Sequence, residues 1–235
     1  MAWAEAERIR KSHSIDVRGV ICRVFRIYVD QVALLIPTAA VVFLIAGVLS
    51  TVLRAVSAEL GLLSVLVSTV ATSLFTGIVV QLVADIQGGR RNPSVGQLLR
   101  TVAPVLGQLI LVGFVAALVE GIGLVLLVFP GFILLTIWSV FAPVIVLERP
   151  AGIRALGRSR ELVRGSGWRV FAVIFVLVIL VGIVAEATAL ADRSAGIGVI
   201  LLAQVLVDTI FFPISALAAA VLYFDLRLQA IGVPS

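Results

Sequence analysis

The sequence predicts an all-α fold: a polytopic membrane helix bundle of six transmembrane helices with basic amphipathic interfacial helices. Three observations predict it. Of 235 residues, 61% are hydrophobic and 13% charged, about half the charged share of an ordinary soluble domain. The mean hydropathy of +1.21 agrees, and a chain of this size has too little interior to hide that much apolar surface from water. Apolar runs recur at lengths suited to about 30 Å of hydrocarbon, where only a helix satisfies its own backbone within one segment. The cations avoid these runs and gather between them.

In order, residues 1–31 form a basic segment with Arg8, Arg10, Lys11, Arg18, Arg23 and Arg26. No short apolar core with a small-residue cleavage site follows these charges, so the segment does not read as a cleaved signal peptide. Val17, Val20, Ile21, Val24 and Phe25 share one helical face opposite arginines, the pattern of a surface helix leading into the bilayer.

The membrane domain follows over residues 32–227. Its first span is 32–53, with Pro37 in the opening turns where a missing N–H costs least. A short turn over 54–61 leads to the second span, 60–84. Gly88, Gly89 and Pro93 break that helix, and Asn92 is the expected cap of a helix over 94–100. The third span, 101–129, contains Glu120, and Pro130-Gly131 is the expected turn into the fourth, 131–147.

Residues 151–164 then read as a basic helix on the membrane surface, with Ile153, Leu156 and Val163 at helical spacing among the arginines. Trp168 stands where the fifth span, 170–191, begins, at the depth indoles favour. Glu186 lies near the end of that span. After a turn at Asp192, Arg193 and Ser194, the sixth span, 197–224, contains Asp208 and Pro213, and residues 228–235 are a short tail.

Six spans put both termini on one side. Every one of the 18 Lys and Arg except Arg54 and Arg193 then falls on that side. Such bias in short loops predicts cytoplasmic N and C termini. The net charge of +5 therefore points to anionic lipid headgroups. Nucleic acid is excluded as a partner, because no basic surface interleaved with aromatics exists. Segments opening at Asp16, Ser94 and Gly152 resemble one another weakly, as three copies of a surface helix and hairpin would. A basic flank on every hairpin entering from the cytoplasm accounts for the same pattern.

Pro130, Gly131, Pro143, Glu148, Ala155, Leu156, Arg158, Ser159, Leu162, Val163, Gly165, Trp168 and Arg169 form one pattern. Tyr223, Asp225, Leu226 and Arg227 close it. Together they resemble the signature of the bacterial membrane domain family named after glycerophosphoryl diester phosphodiesterase, a group of uncharacterised polytopic membrane proteins. The resemblance covers about residues 130–227 and implies a multi-helix inner-membrane protein, fused in some members to a soluble phosphodiesterase. The tail departs from it, being poorer in charge than that of relatives.

No enzyme is expected, because the family's phosphodiesterase chemistry belongs to a soluble barrel using histidines and metal-binding carboxylates. This chain has one histidine, His13, and one cysteine, Cys22. These support neither a histidine-rich metal site nor a serine–histidine pair, and no cofactor is implied. Gly88 to Arg91 lacks the spacing of a phosphate loop.

Two sets of residues remain as candidate sites. Arg154, Arg158, Arg160 and Arg164, with Trp168, suit contact with an anionic lipid headgroup. Glu120, Glu186 and Asp208 lie inside spans that hold no Lys or Arg, each equally far along the chain from Pro104, Val170 or Phe224. At about 1.5 Å per residue all three sit about 24 Å deep, as a shared intramembrane acid cluster or as three acids reaching the outer headgroups. The expected function is a membrane scaffold or lipid-associated module, with an unidentified membrane or cytoplasmic protein as a further partner. The alternative is a small transporter or lipid-handling permease. A polar cavity open to one face would favour the second, and a Leu/Val-filled centre the first.

Reporter fusions test the topology. Fusions at either terminus should report cytoplasm and one at Ser57 the opposite side. Access to residues 151–164 from outside would rule out the six-span layout.

Overall fold

A backbone surrounded by apolar side chains must bond its own N–H and C=O groups, and helices accordingly make up most of the described residues. The computed structural model describes residues 17–89, 94–126, 128–150, 152–191 and 197–231, and no strand occurs among them. The helices are α1 (Val17–Asp30), α2 (Val32–Val56), α3 (Ala58–Gln87), α4 (Val95–Leu126), α5 (Val128–Ile137), α6 (Phe141–Glu148), α7 (Arg154–Val163), α8 (Gly167–Ala191) and α9 (Ile197–Ile231). Among the described residues five segments are long and apolar enough to cross a membrane: α2, most of α3, most of α4, α5 with α6, and most of α9. Bent α7–α8 makes a sixth if counted as one span. The chain is a multi-pass membrane protein.

Helices α2, α3 and α9 pack on one another as the central trio. On its outside, α4 and α6 lie against α3, α5 lies against α4, and α8 bridges α5 and α9. At the end of the bundle where α2 begins and α9 finishes, the trio is filled by Leu35, Ala39, Ile78, Leu82, Leu217, Val221 and Leu222, all fully buried or nearly so. Phe43, Phe75 and Phe212 close that region, with ring centroids 5.1–6.0 Å apart. Beyond the rings, toward the α2–α3 turn, the lining becomes polar.

Several expected boundaries move, each for a local reason. The turn after the first span shrinks to Ser57, which caps α3 by accepting from the Leu60 N–H at 3.1 Å, so Arg54 belongs to the last turn of α2. Ser94 caps α4, reciprocating with Gln97 (Gln97 N–H to Ser94 Oγ 3.4 Å, Ser94 N–H to Gln97 Oε1 3.3 Å), a capping box. Asn92, the expected cap, lies outside the described residues. Because α4 runs unbroken from Val95, the middle of the three similar segments is no separate surface helix. The hairpin turn comes before Pro130, which sits in the first turn of α5 where its missing N–H costs nothing. The fourth span breaks at residues 138–140, ahead of Pro143, whose ring cannot take the carbonyl of Ser139 as a helical partner.

The amphipathic helices pack on protein more than expected. Along α1, Val20 and Val24 are buried against the bundle. The Tyr28 hydroxyl donates to the Ile210 carbonyl at 3.2 Å, and Arg23 contacts Asp225. Helix α1 therefore runs beside α9, while Phe25, expected on the apolar face, is exposed. On α7, Ala155, Leu156, Ser159, Leu162 and Val163 are buried against α5, α6 and α9. Ile153, expected with them, is 69% exposed. Gly165, at φ 95°, supplies the left-handed residue for the 107° bend into α8. The expected turn at Asp192, Arg193 and Ser194 and the basic stretch before Val17 lie outside the described residues. Helix α9 continues past the expected end of its span to Ile231.

Close helix approach depends on small residues, as it must where lipid tails are as apolar as leucine. A Cβ on Gly77 of α3 would lie 2.5 Å from Val102 Cγ1 of α4, itself fully buried. Gly77→Ala should therefore lower stability by about 1–3 kcal/mol, the usual cost of overpacking. Gly107→Ala, where nothing lies within 4 Å, should be neutral or stabilising by up to about 1 kcal/mol. Thermal unfolding of the two detergent-purified variants checks the contrast.

Candidate functional site

Three polar places stand out in this apolar molecule. The first is a junction at the end of the bundle where α6, α7 and α9 meet. Glu148, last residue of α6, accepts from the Tyr223 hydroxyl at 2.9 Å through Oε1 and from Arg158 Nε at 3.0 Å through Oε2. Arg158 also donates from Nη1 to Glu161 at 3.2 Å, one turn along α7. Tyr223 is fully buried and Glu148 mostly so. Ser159 turns inward on α7 and its hydroxyl donates to the Ile137 carbonyl at 2.8 Å. On the far side of α9, Asp225, with a side chain 5% exposed, holds Arg23 of α1. Gln108 of α4 donates to the Pro150 carbonyl, and Ser166 to Gln229 Oε1 at 3.0 Å. Glu148, Arg158 and Tyr223, with the Arg23–Asp225 pair, thus tie α1, α6, α7 and α9 together. Their chemistry here is hydrogen bonding and ion pairing between helices.

The second place is the corner where α7 turns into α8. A groove of about 650 Å³ is lined by Ile137, Gly157, Arg160, Glu161, Val163, Arg164, Gly165 and Gly167. A second of about 560 Å³ adjoins it, sharing Ile137 and Gly167 and continuing over Phe129, Phe132, Ile133, Phe171 and Phe175. Trp168 lies on that second groove, 80% exposed and stacked on Phe171 at 5.2 Å, with Phe175 next at 5.5 Å. The expected headgroup arginines therefore separate. Arg160 and Arg164 line the groove and Trp168 its apolar extension. Arg158 is instead engaged by Glu148 and Glu161, and Arg154 is exposed without lining either groove. Glu161, three residues beyond Arg158, is the sequence signal for that pairing.

The third place answers to the intramembrane acids. Asp208 lines a cavity of about 270 Å³ between α2, α3 and α9, with Arg54, Gln204, Ser50, Ser68 and Thr72. Glu120 lines a neighbouring cavity of about 390 Å³ with Thr69, Thr72, Ser73, Thr76, Ser139 and Ser215. The two cavities share Thr72 and Phe212, so the acids occupy adjacent spaces, not one. Sequence reading missed the hydroxyl-rich face of α3 and the placement of Arg54, a cation in the cavity of an acid expected to have none nearby. The Glu186 side chain lies outside the described residues. Among the described residues no three His, Cys, Asp or Glu come together as a metal site would require.

No protein-family model, curated protein or solved structure matches this chain.

The junction makes a quantitative prediction. Tyr223→Phe removes a hydrogen bond to an ionised carboxylate, a class worth about 1.5–3 kcal/mol. Glu148→Gln weakens the same bond together with the Arg158 pair, so the two losses should not add. The double variant should unfold with less than the summed loss, a coupling of at least about 0.5 kcal/mol. Additive losses in thermal unfolding would separate the two residues.

Proposed function

We propose that this chain is a lipid-associated membrane module that holds an anionic, acyl-bearing lipid at the α5–α7–α8 corner. What carries this reading is the continuity of the two grooves through Ile137 and Gly167, a cationic end running into an aromatic one. An amphiphile has the same division: an anionic headgroup meets Arg160 and Arg164 while a chain lies along Phe132, Phe171 and Phe175. Trp168 stands at the boundary, where an indole favours the headgroup level. The reading includes a bacterial inner membrane, both termini cytoplasmic, no catalytic chemistry, and a scaffolding role toward a membrane or cytoplasmic partner. Of the pattern that resembles the uncharacterised membrane domain family, Val163, Gly165 and Trp168 line this corner.

The test is lipid exchange in nanodiscs mixing phosphatidylglycerol with phosphatidylcholine. Each arginine near the surface contributes about 1 kcal/mol toward anionic lipid. Arg160→Gln with Arg164→Gln should therefore reduce preferential retention of phosphatidylglycerol by about thirtyfold. Arg154→Gln, outside both grooves, should change it little. Equal retention of the two lipids by the unmodified protein would overturn the proposal.

A second reading, a small permease, is favoured by one specific observation. The trio is Leu/Val-filled toward one end but polar toward the other.

A further inference from the structure

We infer that the cavity between α2, α3 and α9 binds a small zwitterionic solute carrying both an ammonium and a carboxylate, of amino-acid size. This gives the permease reading a substrate class but requires only binding, and it is independent of the lipid corner. Four observations converge on it.

Two opposite charges line one cavity without meeting. Asp208 and Arg54 both border the space, yet among the described residues no ion pair joins them, and Asp208 has no hydrogen-bond partner. Arg54 is turned onto α3, where its Nε donates to Ser64 Oγ at 3.1 Å. A carboxylate in apolar surroundings is costly unless a cation or water meets it. One ligand cation on Asp208 and one ligand anion on Arg54 satisfy both ends at once.

Ser50 supplies the second independent sign. It is 7% exposed, its hydroxyl has no partner, and it borders the same cavity. A buried hydroxyl left unpaired costs about 1–3 kcal/mol, which a bound polar group recovers. Gln204, one turn from Asp208, adds an amide able to donate and accept.

Size and floor complete the match. About 270 Å³ accommodates a solute of a few heavy atoms and excludes a lipid. Phe43 and Phe212 form an apolar floor suited to a short hydrocarbon side chain. A bare metal ion fits poorly, because the described residues offer no cluster of acids, and one guanidinium borders the space. Gly47 keeps the wall thin, since a Cβ there would come within 2.9 Å of Leu201.

The test uses the full chain purified in detergent, with equilibrium dialysis against radiolabelled glycine, L-alanine and L-leucine. Ethylamine and propionate serve as singly charged counterparts. At least one of the three zwitterions should bind saturably, and both counterparts at least tenfold more weakly. Asp208→Asn and Arg54→Gln should each reduce zwitterion binding at least tenfold, while phosphatidylglycerol retention stays unchanged, which separates this site from the lipid corner. Should either variant fail to fold, Ser50→Cys in a Cys22→Ser background provides a second measurement. Its modification by a charged methanethiosulfonate should slow severalfold in the presence of the bound zwitterion. Absence of saturable binding by all three zwitterions, equal or tighter binding of ethylamine or propionate, or an unprotected cysteine would each overturn the inference.

Discussion

Helices in a bilayer gain nothing from hiding leucine, because lipid is as apolar as the protein interior. The fold must therefore be held by close packing at small residues and by the few polar groups that find partners. Gly77 lets α3 approach α4, and Gly123 and Gly131 let α4 approach α5, where a Cβ on Gly131 would meet Leu124 at 2.6 Å. At the ends of the helices the polar contacts take over. Glu148 links α6 to α7 and α9, and Asp225 links α9 to α1.

The same scarcity explains how the α7–α8 corner arises. An amphipathic helix with free choice would lay its apolar side on lipid. Here Ser159 hydrogen-bonds Ile137, and Ala155 and Val163 are buried against protein. The apolar side is thereby spent on the bundle, and Arg160 and Arg164 are left lining the groove.

Hydropathy made the spans legible because every residue of a membrane helix faces either lipid or another helix, and both demand apolar side chains. It was blind to what happens inside a run. The break at residues 138–140 falls among Trp138, Ser139 and Val140, none of which interrupts an apolar pattern, and its cause, Pro143, lies further along the chain. Ser57 and Ser94 are ordinary cap residues by type, but Arg54 and Asn92 mark competing helix boundaries in the sequence. The Glu148–Tyr223 contact spans 75 residues, and no periodicity reports a pairing that distant. The arginines show the limit best: spacing marks a basic helix, yet only geometry separates Arg158, held by two carboxylates, from Arg160 and Arg164.

The ring trio of Phe43, Phe75 and Phe212 divides the central helices into a polar compartment and a dry one. A cavity bordered by Asp208, Arg54, Gln204 and four hydroxyls takes up water readily, whereas the region around Leu35, Leu82 and Leu222 offers water no partner. An applied membrane voltage drops where the dielectric constant is low, so it concentrates across the dry compartment. A unit charge crossing the full potential changes in energy by about 2.3 kcal/mol per 100 mV. In this bundle most of that work falls on the short dry stretch between the phenylalanines and the arginine-rich end.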